Sequence, residues 1–141
     1  MKNNVERALD RSVAWLVSWV YFVQGAISVA AVAFPLWLRN LGWGISEIST
    51  FAFIEGIPWI LKLFYGAVSD GFPIGGLRRK PYLIASSFCA TASWLAIAFL
   101  PTSRSSLYLW AILANLGFAI TDVVTDALIV ERATPPTSRI Y

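Results

Sequence analysis

Histidine is absent from the 141 residues, and there is a single cysteine, Cys89, and a single methionine. These absences exclude imidazole acid–base chemistry, histidine-ligated metals and any disulfide framework. Charge is scarce too: Asp, Glu, Lys and Arg make up 13% of the chain, where a soluble domain carries about 25%. No metal-ligand cluster, phosphate-cradling glycine loop or nucleophile–base pair can be assembled, so the expectation is a chain that is not an enzyme and needs no cofactor. What is abundant is apolar: 57% of residues are hydrophobic, seven are Trp, and the mean hydropathy is +0.65. That balance excludes an ordinary soluble protein and a nucleic-acid partner, and it makes the lipid bilayer the first partner.

Four apolar runs are long enough to cross a bilayer, which takes about 20 helical residues. They cover 13–38, 45–68, 81–100 and 106–130. The alternation expected of a transmembrane barrel is missing, so the fold class is an all-α membrane protein of four transmembrane helices. A segment 1–12 precedes this 13–133 region, and a polar tail, 134–141, follows it. Short connections force consecutive helices to run antiparallel. The first run is about twice as long as the apolar core of a signal peptide and reads as a retained helix.

Basic residues set the orientation. Lys2, Arg7, Arg11, Arg78, Arg79, Lys80, Arg132 and Arg139 fall on one side, against Arg39 and Arg104 on the other. The positive-inside rule then places both termini and the 69–80 loop in the cytoplasm or its plastid equivalent, the stroma. Trp37, Trp43, Tyr108 and Trp110 read as an aromatic belt at the opposite interface.

Ionisable groups within spanning helices are costly and mark cavities or pairs. There are four: Glu55, Lys62, Asp122 and Asp126. Glu55 and Lys62, seven apart, share a face of the second helix, and Asn115, Asp122 and Asp126 form a stripe on the fourth. At about 1.5 Å per residue, Lys62 lies about 9 Å from its helix end and the two Asp about 12 and 6 Å from theirs, so cation and carboxylates are level. Gln24, Glu55 and Asn115 fall near the midplane. One reading of the ion pair is functional, a substrate or proton site; the other is structural, a tie between two helices. Pro58 is expected to kink the second helix between Glu55 and Lys62.

The 69–80 loop and its approach carry the most specific motif. Gly66-Ala-Val-Ser-Asp70, then Gly-Phe-Pro-Ile-Gly-Gly-Leu, then Arg78-Arg-Lys80, resembles the cytoplasmic loop motif of the major facilitator superfamily with a small insertion. That insertion, Tyr21-Phe-Val-Gln-Gly25, Pro58-Trp-Ile-Leu-Lys62 and Asp122-Val-Val-Thr-Asp126 through Val130-Glu-Arg-Ala133 are similar to the folate–biopterin transporter family. The resemblance spans about residues 20 to 133. It implies the start of a major facilitator amino-terminal half, within a carrier of about twelve helices that moves folates or pterins by alternating access in a bacterial inner membrane or a plastid membrane.

On that resemblance, Gly66, Asp70, Arg78, Arg79, Glu131 and Arg132 are expected to form a cytoplasmic gate. Gln24, Glu55, Lys62, Asn115, Asp122 and Asp126 are the candidates for binding or proton coupling, with Tyr21 or Trp59 as a stacking surface. Lys62 would meet the carboxylate of a small organic anion, and one of the two Asp would take up a proton. The sequence ends after the fourth run, so the expectation is a portion of a carrier completed by further helices or a second chain. The alternatives are a truncated interaction or assembly module without transport, and a small dimeric four-helix exporter.

Overall fold

The computed structural model describes residues 4–100 and 103–133, with side chains from Arg11 to Leu100 and from Ser103 to Glu131. Lys2, Arg139 and the tail 134–141 lie outside the described residues, as do the side chains of Arg7 and Arg132. The elements are α1 (Asn4–Asn40), α2 (Ile45–Ile60), α3 (Lys62–Gly71), α4 (Lys80–Phe99) and α5 (Arg104–Ala133). They supply four segments long and apolar enough to cross a membrane: Arg11–Asn40, Ile45–Gly71, Lys80–Phe99 and Arg104–Glu131. No strand occurs among the described residues.

The second segment, Ile45–Gly71, is not one unbroken helix. It is interrupted at Leu61 (φ −86°, ψ 10°), three residues past Pro58 and directly before Lys62. Pro58 lies buried inside α2, where it lacks the N–H that would bond the Ile54 carbonyl, and the helix ends two residues later at Ile60. The break therefore sits beside the membrane lysine, not at the proline.

The α1–α2 turn follows from Gly42. Its φ of 84° is a left-handed conformation that favours glycine. That geometry lets the Trp43 N–H donate to the Leu38 carbonyl at 3.2 Å and the Gly42 N–H to the Arg39 carbonyl at 3.0 Å. These two bonds satisfy carbonyls that the helix end would leave orphaned, and they bring Trp43 onto Leu38. Glu47 then reaches back to accept the Gly44 N–H at 2.8 Å, which fixes the start of α2.

Helix α5 is the hub. It packs most extensively on α4, then on α2, α3 and finally α1. The α4–α5 crossing is close because Gly117 has no side chain: a Cβ there would lie 2.6 Å from the Ser86 carbonyl oxygen and 2.8 Å from Ala90. Small residues on the facing surface, Ser86, Ala90 and Ser93, recur at helical spacing, the pattern that lets helices pack in lipid by contact alone. Ser86 and Thr121 share a 2.8 Å hydrogen bond across the crossing.

One end of the bundle, where the α1–α2 and α4–α5 connections lie, is closed by an apolar cluster of Leu38, Trp43, Phe51, Ile97, Leu107 and Ala111. The Phe51 ring centre lies 4.9 Å from that of Tyr108, tilted by 54°, and 5.6 Å from that of Trp43, edge to face. Of the four residues expected as an aromatic belt, Trp43 is 5% exposed, and Tyr108 and Trp110 pack against the same cluster, at the end of the bundle where that belt was expected. Helix α1 stands apart, and an apolar cavity of about 790 Å³ separates it from α4.

Candidate functional site

The polar residues gather toward the opposite end, on the side where α3, the 72–79 loop and the end of α5 meet. Lys62 opens α3 and its ammonium pairs with Asp122 of α5. Asp122 is 7% exposed, and a carboxylate so enclosed needs a charged partner. The Leu61 break positions Lys62 for this contact, and its Nζ also lies 4.9 Å from the centre of the Trp59 ring, a cation–π geometry.

One helical turn on, Asp126 is held differently. It accepts a hydrogen bond from the Tyr21 hydroxyl of α1. The two carboxylates of the stripe thus have separate partners from separate helices. Tyr21, expected as a stacking surface, acts here through its hydroxyl. A hydroxyl at compatible depth on α1 was the one clue to that pairing.

Above this layer, toward the apolar cluster, lies a cavity of about 400 Å³ lined by residues that include Tyr21, Gln24, Trp59 and Asn115. Its size lies within the range typical of small-molecule sites, about 300–1,000 Å³. The Trp59 indole N–H donates to Asn115 Oδ1 at 2.8 Å, while Asn115 Nδ2 donates to the Ala111 carbonyl at 3.1 Å. Gln24 Nε2 is buried with no hydrogen-bond partner among the described residues. A donor left unsatisfied in this way is available to a ligand. Glu55 is half-buried and forms no ion pair among the described residues; the structure does not join it to the Lys62–Asp122 pair.

At the end of the bundle, Arg79 collects a second network. Its guanidinium contacts Asp70 at 2.6 Å and Glu131 at 2.8 Å, and donates to the Ser69 hydroxyl at 3.0 Å. Partial burial by itself pulls the Arg79 pKa down, but hydrogen bonding and charge from Glu131, and then from Asp70, outweigh it and raise the value above the ordinary arginine range. The cation is therefore fixed. Gly66 lies in contact with α5, where a Cβ would come within 3.3 Å of Val123. Arg78 is exposed and is not part of this network. Arg132 lies in α5, with its side chain outside the described residues. Ser69, fully buried beneath Arg79, was not anticipated; its position one residue before Asp70 was the available clue.

Comparison with known proteins gives these features a context. The chain is 42% identical over 121 residues to "Probable folate-biopterin transporter 4" of Arabidopsis thaliana, covering 83% of this chain and 25% of that protein. It is 36% identical over 115 residues to "Folate-biopterin transporter" of Synechocystis sp., covering 81% and 23%. It is also 38% identical over 89 residues to "Folate transporter 2" of Plasmodium falciparum, covering 62% and 19%. The chain thus spans about a quarter or less of the length of these relatives. No solved structure matches it. Residues 24–139, which include the second half of α1 and every polar contact described above except Tyr21, match the BT1 family, and this helical integral membrane chain belongs to it.

Proposed function

We propose that the chain forms part of a membrane carrier for organic anions of the folate and pterin class, working by alternating access and coupled to protons. The observation that carries this reading is the Lys62–Asp122 pair, set beside a 400 Å³ cavity with Trp59 between them. The relatives named for folate and biopterin transport supply the substrate class.

The chemistry follows from desolvation. A substrate carboxylate reaching Lys62 competes with Asp122 for the ammonium. An Asp122 carboxylate displaced in an enclosed site is unstable as an anion and takes up a proton. The amides of Gln24 and Asn115 read the edge of a heterocycle, and Trp59 offers it a face. Asp70, Arg79 and Glu131 act as the gate at the cytoplasmic or stromal end, a salt-bridge cluster that opens and closes as the helices move. The reading requires further helices, from a longer chain or a second one, and the apolar cavity between α1 and α4 supports that requirement. Catalysis has no place in it.

The test is uptake by a full carrier containing these residues, reconstituted in liposomes. Lys62→Met is expected to abolish folate binding. Asp122→Asn is expected to flatten the pH dependence of uptake while substrate exchange persists. Full pH dependence in Asp122→Asn would remove the coupling role.

A further inference from the structure

The loop between α3 and α4 contains a feature that the transport reading does not use. Ile74 and Leu77 exchange both backbone hydrogen bonds, each at 3.1 Å, around Gly75 and Gly76. The two glycines have φ of 59° and 77°, the left-handed pair of a two-residue hairpin turn. Residues directly opposite in such a pair point to the same face. Phe72 lies two residues before Ile74 in extended backbone (φ −122°, ψ 86°) and so shares that face. The three side chains are 70%, 54% and 53% exposed. A rigid miniature hairpin therefore presents three large apolar side chains together.

Its base is pinned to the spanning helices. The Phe72 N–H donates to the Val68 carbonyl at 3.0 Å, and the Tyr82 hydroxyl donates to the Phe72 carbonyl at 2.7 Å. Because α3 ends at Gly71 and α4 begins at Lys80, the hairpin lies at the ends of two candidate membrane spans. Arg79 is turned inward to Asp70 and Glu131. Arg78 and Lys80 are exposed and form no ion pair among the described residues. The patch thus combines apolar side chains with two unneutralised cations.

We propose that this hairpin is an anionic-lipid anchor: Phe72, Ile74 and Leu77 enter the headgroup–acyl boundary of the adjacent leaflet, and Arg78 and Lys80 bind lipid phosphates beside them. Apolar burial and electrostatic attraction are the two terms that hold interfacial segments. The double glycine is what this task requires, since a longer or looser turn would spread the three side chains apart.

The test places a nitroxide at position 74 (Ile74→Cys with Cys89→Ala) in the 141-residue chain, reconstituted in bilayers of phosphatidylcholine alone or with one-third phosphatidylglycerol. Collisions with oxygen and with an aqueous nickel chelate report immersion. In the anionic bilayer the nitroxide is expected to meet oxygen and to be shielded from nickel. Arg78→Gln and Lys80→Gln are each expected to lower the immersed population about fivefold, and neutral bilayers to lower it further. A label that stays aqueous in both bilayers overturns the proposal. So does one equally immersed in both, which would mean partition without lipid charge. Shielding from both reagents overturns it as well, because the hairpin would then be docked on protein.

Discussion

The two ends of this bundle differ in what lies at their centre: a packed apolar cluster with an exposed Glu47–Arg104 ion pair at its rim, against ion pairs that reach into the bundle. Where α1 turns into α2, Leu38, Trp43, Phe51, Ile97, Leu107 and Ala111 form a cluster of carbon surfaces and stacked rings. At the other end, helices meet through Lys62–Asp122, Tyr21–Asp126 and Arg79 between Asp70 and Glu131. Dispersion contacts are many, weak and indifferent to protonation. Ion pairs are few and can be exchanged for a proton or another anion. The contrast makes the contacts of one end the more sensitive to salt and protonation.

The largest expected effect would break the comparison altogether, because α5 is the scaffold for both ends. Gly117→Leu places atoms inside the Ser86 carbonyl and Ala90 of α4. It should cost about 3 kcal/mol or more, seen as loss of a cooperative unfolding transition in detergent. Next comes Phe51→Ala, which removes the centre of the aromatic cluster. A deficit of about 3 kcal/mol is expected, and thermal unfolding followed by tryptophan fluorescence should show it equally at high and low salt.

The Lys62 and Asp122 variants sharpen the other side. Lys62→Met and Asp122→Asn should each destabilise, while the double variant should recover part of the loss. A coupling of about 1–3 kcal/mol in the double-mutant cycle is expected. No coupling would mean that the contact holds nothing. The smallest effect concerns pH. The Arg79 pKa is raised on folding, so its contribution is fully present below the unfolded value and is lost only as pH rises through the folded one. The stability difference between wild type and Arg79→Gln should therefore stay constant from about pH 7 to about pH 10, checked by unfolding midpoints across that range.

Legibility in the sequence differed between the ends in the same way. The charged end could be read well, because an ionisable residue inside an apolar run has few permissible surroundings. Counting residues from helix ends brought Lys62 level with Asp122, and the structure joins them. The aromatic end was less legible, because Trp43 and Tyr108 suit a membrane interface and a packed core equally, and their neighbours in the cluster come from helices far apart in the chain. Partner choice among polar groups was also beyond sequence. Nothing at Tyr21 distinguishes a ring used for stacking from a hydroxyl used to bind Asp126, and Pro58 signalled an interruption before Lys62 without saying that it would fall at Leu61. Arg78 and Arg79 are adjacent and chemically identical, yet one is exposed and the other bridges two carboxylates.

The sequence by itself determined that this chain is helical and lives in a membrane, where its spans lie, which groups had to find partners, and which family it resembles. Apolar length and the cost of a buried charge decide these matters locally, within one helix. Tertiary structure alone decided which partner each group took, that α5 is the hub, that Gly117 sets the α4–α5 distance, and that α1 is held loosely beside a cavity. Those outcomes depend on the relative rotation and closeness of helices far apart in the chain, set by side-chain shape at each crossing, and no periodicity within a single helix encodes them.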